Sequence, residues 1–566
     1  MSLASFNFRA LPRRARPAAT QRSRQAEVCR VAQGALHAEK LTVVAGSASM
    51  SPIAIGPVSV AALRDVVRHG REPPPAQAIA RLRSYRWFVI GTVCIGAFMG
   101  QLDSSIAQLL LPQLELEFHA RLSTVSWVAV AYLLAMAAFL PIFGRLADMV
   151  GRKLLYTGGF LLFVLSSAFC GFAPDLPVLI GFRVLQGIAA ALLSSNGIAI
   201  VVTAAGPERR GRALGVLSAA QAIGLSAGPA IGGLVLDVLD WHWVFWINVP
   251  VGLAGSIMGW FVLPPTEDLP DTARFDWKGA LLLAPALTAL VTLLNEGYAW
   301  GATVPLFGVA VLALVLVTLF VRAERRAPAP LIDSALFRRA TFATGNVAGL
   351  LAYAALFGLF FLMPFVLVRV YRDSIFGAGL RLTIVPLALG LVAPVAGALY
   401  DRLGASRLTF AGMLICMGAL GLLYVGMDGT ASRLPLVMAA LAMFGIGQGL
   451  FISPNNSATM ATVPPHLAGE AGGLLNVIRS IGISLGVAGA SSLLAWRLAA
   501  LTGSGRNTLH AEAPQLLAAG GDVIALLGAF AAVAAAVSLS RAKSPKSCKT
   551  GLFAAIPLKR NSRRSA

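Results

Sequence analysis

Long apolar runs, separated by short polar segments, occupy the sequence from residue 87 to residue 540. A helix needs about 20 mostly apolar residues to cross about 30 Å of hydrocarbon, because it rises about 1.5 Å per residue. Fourteen runs reach this length, and each predicts a membrane-spanning helix. The predicted spans are 87–110, 125–143, 154–173, 176–203, 213–236, 243–263, 278–296, 303–321, 347–368, 380–400, 408–427, 435–453, 471–496 and 521–540.

The basic residues of the short loops predict how these spans are oriented. If the first span leaves the cytoplasm, the loops that return to it carry most of the loop arginine and lysine, which is typical of cytoplasmic loops. We therefore predict a multi-pass protein of the cell (inner) membrane with both termini in the cytoplasm. The basic positions on that side are Arg145, Arg152, Lys153, Arg209, Arg210, Arg212, Arg322, Arg325, Arg326, Arg338, Arg339, Arg402 and Arg407.

The two ends of the chain differ from the apolar middle. Residues 1–80 are rich in Arg, Ala, Ser and Pro and lack an apolar period, so we predict a disordered basic tail there. We favour an upstream start, with Met50 as the biological beginning, over a transit-like peptide. A short helix around Val58 to Arg71 is expected on the inner leaflet. Residues 541–566 are predicted to form a basic cytoplasmic tail.

The composition fits a protein whose solvent is the bilayer. Hydrophobic residues make up 57% of the 566 residues and charged residues 13%, which is more apolar surface than a soluble core can bury. Much of the formal net charge of +21 lies in the tails, where it indicates anionic lipid headgroups rather than nucleic acid. The five cysteines are scattered and no nucleophile or metal-binding motif is present, so no enzyme activity, cofactor or metal is expected.

A short motif occurs twice and predicts two equivalent halves. The pattern G-x-L-x-D-x-x-G lies between spans 2 and 3 and again between spans 10 and 11. Its residues are Gly144, Leu146, Asp148 and Gly151, then Gly397, Leu399, Asp401 and Gly404. Residues 81–265 are then a six-helix N-terminal bundle, 266–340 an inserted helix pair with linkers, and 341–540 a six-helix C-terminal bundle. Parallel repeats of this kind, with a binding site at the midplane, are a transporter layout.

Four segments resemble the fourteen-helix drug:proton antiporter branch of the major facilitator superfamily. They are the loop Gly144–Lys153, the helix 5 pattern of Gly215, Gly224, Gly228, Pro229, Gly232 and Gly233, the stretch Leu102–Pro112 around Asp103, and the motif Arg183-Val-Leu-Gln186-Gly187. Gln108 and Leu110 depart from the Asn and Ala of the family pattern. The resemblance implies an all-α fold of two six-helix bundles plus two inserted helices. It also implies a transport function.

Several of these residues are interpreted as a conformational motif. Gly144 and Gly151 allow tight backbone turns, Asp148 can cap a helix N-terminus, and Arg152 can pair with it or with a helix C-terminus. Asp401 repeats the Asp148 position in the second half. The glycines Gly224, Gly228 and Gly232 share one helix face, and with Pro229 we interpret them as a hinge or seal between the two halves.

Charged residues inside predicted spans are candidates for function, because burying a charge in a membrane is costly. Asp103 and Arg183 lie at similar depths, which allows an ion pair or a shared water network. The resemblance implies that Arg183 and Gln186 take part in proton transfer, so we predict Asp103, Arg183 and Gln186 as proton-coupling residues. The alternative for Asp103 is a snorkelling side chain near the headgroups.

Three further residues are possible cavity residues. Asn476 and Arg479 lie inside span 13, where cavity lining and plain pairing between helices both stay open. Glu296 ends span 7; a solvated helix end is the simpler reading, but it is the alternative proton carrier. The segment with Arg369, Arg372 and Arg381 departs from the family pattern. These arginines either attract anionic molecules or are ordinary loop charges. They argue against a lipophilic cation as the substrate.

These features predict a proton-coupled secondary active transporter that exports small molecules, as a drug or multidrug efflux antiporter, by alternating access. The alternatives are a proton-coupled symporter or an exporter of one specific metabolite and, more remotely, a membrane-embedded enzyme or receptor. The expected partners are a small-molecule substrate, protons and the lipid bilayer. Nucleic acid is not expected as a partner, and the protein is expected to be a monomer.

Overall fold

A computed structural model of the protein describes residues 72–206, 209–266, 276–300, 304–327, 334–463, 468–502 and 511–540. Its regular structure in these residues is helical, as predicted. The first half comprises α1 (Tyr85–Phe118), α2 (Leu122–Val150), α3 (Arg152–Cys170), α4 (Leu176–Ala205), α5 (Arg210–Val238) and α6 (Asn248–Val262). The inserted pair comprises α7 (Trp277–Trp300) and α8 (Val304–Arg326).

The second half repeats the six-helix order. It comprises α9 (Ala340–Phe365), α10 (Ile384–Leu403), α11 (Ala405–Gly426), α12 (Leu434–Ala461), α13 (Ala468–Thr502) and α14 (Ala513–Ser540). The helix α9 continues as a π-helical turn, Val366–Val370, and a short helix, Ile375–Leu382, leads into α10. Other short helices are Gln77–Ala80, Trp243–Trp246 and Ser334–Phe337, with a 3-10 turn at Ala431–Arg433.

The membrane-spanning prediction is confirmed. Within the described residues, 13 helices are long and apolar enough to cross a membrane, and α7 adds a shorter apolar stretch, Lys278–Leu293. The helix α1 is longer than predicted, because Pro112 lies inside it and does not end it. At 34 residues, α1 exceeds the roughly 20 residues that cross the apolar core.

The two halves use the same helix pairs. In the first half α1 contacts α5, α2 contacts α4, and α3 contacts both α4 and α6. In the second half α9 contacts α13, α10 contacts α12, and α11 contacts both α12 and α14. Shifting the helix number by eight converts one set into the other, which is the arrangement that the repeated motif predicts.

The halves meet along two lines of contact. The helix α2 contacts α13, and α5 contacts both the helix Ile375–Leu382 and α10. The helix α7 lies against α2 and α13, and α8 lies against α7. The inserted pair therefore flanks the α2–α13 contact.

Equivalent glycines end the helices that carry the repeated motif. Gly151 follows α2 with φ +115°, and Gly404 follows α10 with φ +79°. Residues with a Cβ atom rarely adopt a positive φ of this size, so both positions favour glycine. The turn at Gly151 fits the prediction, whereas Gly144 lies inside α2 and makes no turn. The side chains of Asp148 and Asp401 lie outside the described part of the structure.

Residues 72–80 do not form a disordered tail. The carboxylate of Glu72 accepts hydrogen bonds from the backbone N of Leu154 at 2.9 Å and of Thr266 at 2.6 Å. The buried Lys153 donates to the carbonyl of Pro73 at 2.7 Å. Glu72 thus satisfies a free N–H at the start of α3, which a helix N-terminus needs. The prediction of disorder is wrong for this segment, while Met50, residues 58–71 and residues 541–566 lie outside the described residues.

We call the side of the protein that carries Arg145, Arg152 and Arg402 the basic side, and the other the opposite side. Leu403 and Thr430 are exposed near the two ends of α11. In a cysteine-free background, we expect Leu403→Cys to react with a membrane-impermeant maleimide only in everted vesicles, and Thr430→Cys only in intact cells. Labelling of both from the same side contradicts the predicted topology.

Candidate functional site

Asp103, Arg183 and Gln186 meet in the interior of the first half. Arg183 Nη1 donates to Asp103 Oδ2 at 2.6 Å and to Gln186 Oε1 at 2.6 Å. Gln186 Nε2 donates to Asp103 Oδ1 at 3.0 Å. Relative exposure is 3% for Asp103 and 0% for both Arg183 and Gln186, so the snorkelling alternative for Asp103 is wrong. These are charge-assisted hydrogen bonds in a dry environment, where they are strongest.

Asn248 completes this arrangement and was missed in the sequence. Its Nδ2 donates to Asp103 Oδ1 at 3.1 Å, and its side chain is buried. Asn248 lies at the start of α6, directly after several tryptophans. Such tryptophans are typical of the membrane interface, so the sequence did not indicate a buried polar residue there. We call Asp103, Arg183, Gln186 and Asn248 the Asp103 cluster. With two donors on Oδ1 and one on Oδ2, both oxygens of the carboxylate are engaged.

The guanidinium of Arg183 is held on its other sides as well. Its Nε donates to the carbonyl of Val128 at 2.8 Å. The ring of Tyr132 lies 4.3 Å from its central carbon, within cation–π distance. The hydroxyl of Tyr132 is buried and has no hydrogen-bond partner among the described residues. A residue of α2 therefore separates the Asp103 cluster from the space beyond it.

That space is a cleft between the two halves. Its unfilled space, including the part open to solvent, is about 560 Å³. Its walls include Gln101, Tyr132, Tyr156, Gln221, Asn476 and Arg479. The first-half residues belong to the parts of α1, α4 and α5 nearest the basic side, so the cleft lies toward that side.

Asn476 and Arg479 therefore line the cleft, and Arg479 also pairs across it. Arg479 Nη2 donates to Gln101 Oε1 at 2.6 Å, which joins α13 of the second half to α1 of the first. Arg479 therefore does both things that the sequence left open, namely lining the cavity and pairing between helices. The side chain of Glu296 lies outside the described part of the structure.

An ion pair joins the halves at the opposite side. Glu115 of α1, with 0% relative exposure, lies 3.4 Å from Arg369 Nη2 of the turn after α9. Glu115 lies beyond residue 110, where the predicted first span ends, so it was not predicted as a buried charge. The three arginines of the outer segment differ in their surroundings. Arg369 and Arg381 are in ion pairs, with Glu115 and Asp373, and Arg372 is exposed.

Close backbone contact reinforces this closure. A Cβ added to Gly379 would strike the carbonyl of Pro229, and one added to Gly233 would lie 2.9 Å from the carbonyl oxygen of Ile375. These glycines bring α5 of the first half against the helix Ile375–Leu382 of the second. Pro229 and Gly233, which belong to the helix 5 pattern, are thus part of a seal between the halves.

The three-glycine face of α5 has a different partner from the one predicted. A Cβ at Gly224 would lie 2.5 Å from the carbonyl of Phe98, and one at Gly228 would lie 2.9 Å from the Cβ of Ser105. A Cβ at Gly232 would lie 3.0 Å from Ile106. All three contacts are with α1, in the same half. This face joins α5 to α1, so the interpretation of Gly224, Gly228 and Gly232 as a seal between halves is wrong.

Gly228→Ala is expected to destabilise the protein. The new methyl group would overlap Ser105 and approach the carbonyl of Leu102 at 3.1 Å. Overpacking of this kind costs about 1–3 kcal/mol, and a backbone neighbour cannot move aside easily. A lower melting temperature in detergent and reduced transport are expected. Gly215→Ala is the matched control, because an added Cβ there meets nothing within 4 Å. Equal melting temperatures for the two variants would refute the close α1–α5 contact.

Two equivalent six-helix bundles with a cleft between them, a seal on one side and a buried ion pair beside the cleft are the layout of a membrane transporter. The chain belongs to the Major Facilitator Superfamily, which matches residues 93–487. The resemblance predicted from the four sequence segments is therefore confirmed.

Individual relatives agree with this family. The chain is 35% identical over 416 residues to Riboflavin transporter RibZ of Clostridioides difficile (strain 630), covering 73% of this chain and 89% of that protein. It is 32% identical over 413 residues to Multidrug resistance protein B homolog of Mycobacterium tuberculosis (strain ATCC 25618 / H37Rv), covering 72% and 76%. The fold resembles a bacterial homologue of the human lysosomal transporter Spinster in an inward-facing, unoccupied conformation. The TM-score is 0.59 at 16% identity, over 81% of this chain and 97% of that one.

Proposed function

We propose that this transporter exports small molecules across the cell (inner) membrane in exchange for protons, with Asp103 as the proton carrier. The observation that carries the proposal is the Asp103 cluster, a carboxylate and a guanidinium 2.6 Å apart and buried inside a membrane protein. Such a pair is costly to bury and is a candidate for proton movement by default.

The chemistry follows from competition for the carboxylate. A proton on Asp103 neutralises the charge that Arg183 faces, so the guanidinium loses most of its attraction to that oxygen. The ring of Tyr132 contacts Arg183 on one face and lines the cleft. A displacement of Arg183 therefore changes the cleft wall. Protonation of Asp103 and binding of a substrate in the cleft therefore both act on the packing of Arg183 against Tyr132.

The direction of transport rests on the two sides of the molecule. The cleft lies toward the basic side, which we predict to be cytoplasmic, and the seal lies at the opposite side. We infer that the structure is the inward-facing state, from which a substrate would enter the cleft from the cytoplasm or inner leaflet. The resemblance of the helix 5 pattern to the antiporter branch and the name of the multidrug resistance relative support export. We propose that the transporter acts as a monomer. The name of the riboflavin transporter supports the second candidate, a transporter of one specific metabolite.

Reconstituted protein tests the proposal. Purified transporter is placed in liposomes, a pH gradient is imposed, and the movement of a chemically diverse panel of fluorescent compounds is followed. Movement opposite to the proton flux, lost when an ionophore collapses the gradient, is the expected result. Movement in the same direction as the protons would identify a symporter. Movement that ignores the gradient would remove proton coupling from the proposal.

A further inference from the structure

The cleft carries an uncompensated positive charge. Among the described residues that line it, Arg479 is the one charged side chain, and none is a carboxylate. Its remaining polar walls are neutral amides and hydroxyls, such as Gln101, Gln221 and Asn476. The guanidinium of Arg479 is a cation, so the cleft is positively charged.

The surroundings of Arg479 leave part of its hydrogen-bonding capacity unused. One Nη atom binds the neutral Gln101 Oε1 at 2.6 Å, and the guanidinium lies 5.3 Å from the ring centre of Tyr353. Its Nε is buried without a hydrogen-bond partner among the described residues. A neutral acceptor and a ring stabilise the half-buried guanidinium less than an anion does. The missing partner is therefore an anionic group that accepts from the guanidinium.

The buried carboxylate of Asp103 does not serve this purpose. Asp103 is not among the residues that line the cleft, and it already binds Arg183, Gln186 and Asn248. Loop arginines on the basic side are expected in any protein of this topology, so they do not indicate the charge of the substrate. The charge that indicates the substrate class is therefore that of Arg479, inside the cleft.

The remaining walls of the cleft carry no charge. Amides at Gln221 and Asn476 provide polar contacts, and Met136 provides a flexible thioether. Tyr132 and Tyr156 border the cleft, but their side chains are 1% exposed and packed into the core. The cleft thus joins one cationic point to neutral walls.

We infer that the transported substrates are organic anions, whose anionic group binds Arg479 and displaces Gln101 from it. This inference rests on the proposed function and names its substrate class. It excludes lipophilic cations as preferred substrates, because they would lie beside Arg479 without a counter-charge. Since Arg479 and Gln101 belong to different halves, the bound anion replaces a contact that joins them.

Two xanthene dyes of similar shape and opposite charge test the inference. Carboxyfluorescein is the anionic probe and rhodamine 123 the cationic probe, measured for binding by fluorescence polarisation and for transport in liposomes. Arg479→Gln removes the charge, Arg479→Lys keeps the charge without the planar fork, and Arg497→Gln is the matched control. Arg497 lies on the same helix, is paired with Asp522 and is partly exposed, outside the cleft walls.

Wild-type protein and Arg497→Gln are expected to bind and move carboxyfluorescein in preference to rhodamine 123. Arg479→Gln should weaken carboxyfluorescein binding by about tenfold or more, with Arg479→Lys in between. Rhodamine 123 binding and the melting temperature of Arg479→Gln report whether that variant is folded. Preference for rhodamine 123, equal carboxyfluorescein affinity in folded Arg479→Gln, or no carboxyfluorescein binding overturns the inference. Anion binding without a response to the pH gradient leaves the inference standing and removes the proposed proton coupling instead.

Discussion

Asp103→Asn is expected to reduce pH-gradient-driven accumulation of substrate to the level of protein-free liposomes. The amide keeps the size of the side chain and can still accept from Arg183, but it cannot carry a proton through the transport cycle. Without a titrating group, the gradient has no means to bias the two conformations. Binding in the cleft should persist, since Asp103 lies behind Tyr132 and not in the cleft wall.

Asp175→Asn is the matched control for this experiment. Asp175 is an exposed carboxylate at the N-cap of α4, where it accepts from the backbone N of Val178 at 2.8 Å. Asparagine caps helices as well as aspartate does, so this variant should transport at the wild-type rate. Three measurements are made on each protein, namely the melting temperature, substrate binding and uptake with and without a pH gradient. Uphill transport by folded Asp103→Asn would falsify the carrier role and direct the search to Glu296.

Removing the Glu115–Arg369 ion pair is expected to open the seal at the opposite side more often. The pair joins the two halves, and relative exposure is 0% for Glu115 and 18% for Arg369, so solvent screens it weakly. A loss of about 1.4 kcal/mol from the closed state would raise the open population about tenfold. Leu109, buried beside Gly379, is a suitable reporter as Leu109→Cys. Its labelling from the opposite side should rise about tenfold in Arg369→Gln.

The control for this experiment is Arg433→Gln. Arg433 pairs with Asp428 within the loop between α11 and α12, on the same side of the protein, and both residues are exposed. An exposed pair contributes about 0–1 kcal/mol, and this one does not join the halves, so labelling at residue 109 should not change. The charge-reversed double variant Glu115→Arg with Arg369→Glu should bring labelling back toward the wild-type rate. Unchanged labelling in Arg369→Gln would show that the seal depends on the glycine contacts alone.

The sequence was informative about the site wherever a rule of burial applied to single residues. A charge in an apolar run is costly whatever surrounds it, so Asp103 and Arg183 were identified, and the helix rise placed them at one depth. The same reasoning does not identify Glu115, because the predicted span ends at residue 110 while α1 continues to Phe118. Asn248 was missed for another reason. A buried amide at a helix start has no distinguishing pattern in the sequence.

What the sequence alone determined is the helical membrane fold, its two repeated halves, its inserted pair and its family. These follow from local properties, since the bilayer fixes the length of each apolar run and a repeated motif needs no knowledge of contacts. What only the tertiary structure decided is which surfaces meet. The face of Gly224, Gly228 and Gly232 meets α1 and not the other half, and Arg479 reaches Gln101 across 378 positions of sequence. The physical reason is that helix faces turned toward lipid, toward a neighbour or toward the cleft share nearly the same apolar composition, so only packing distinguishes them.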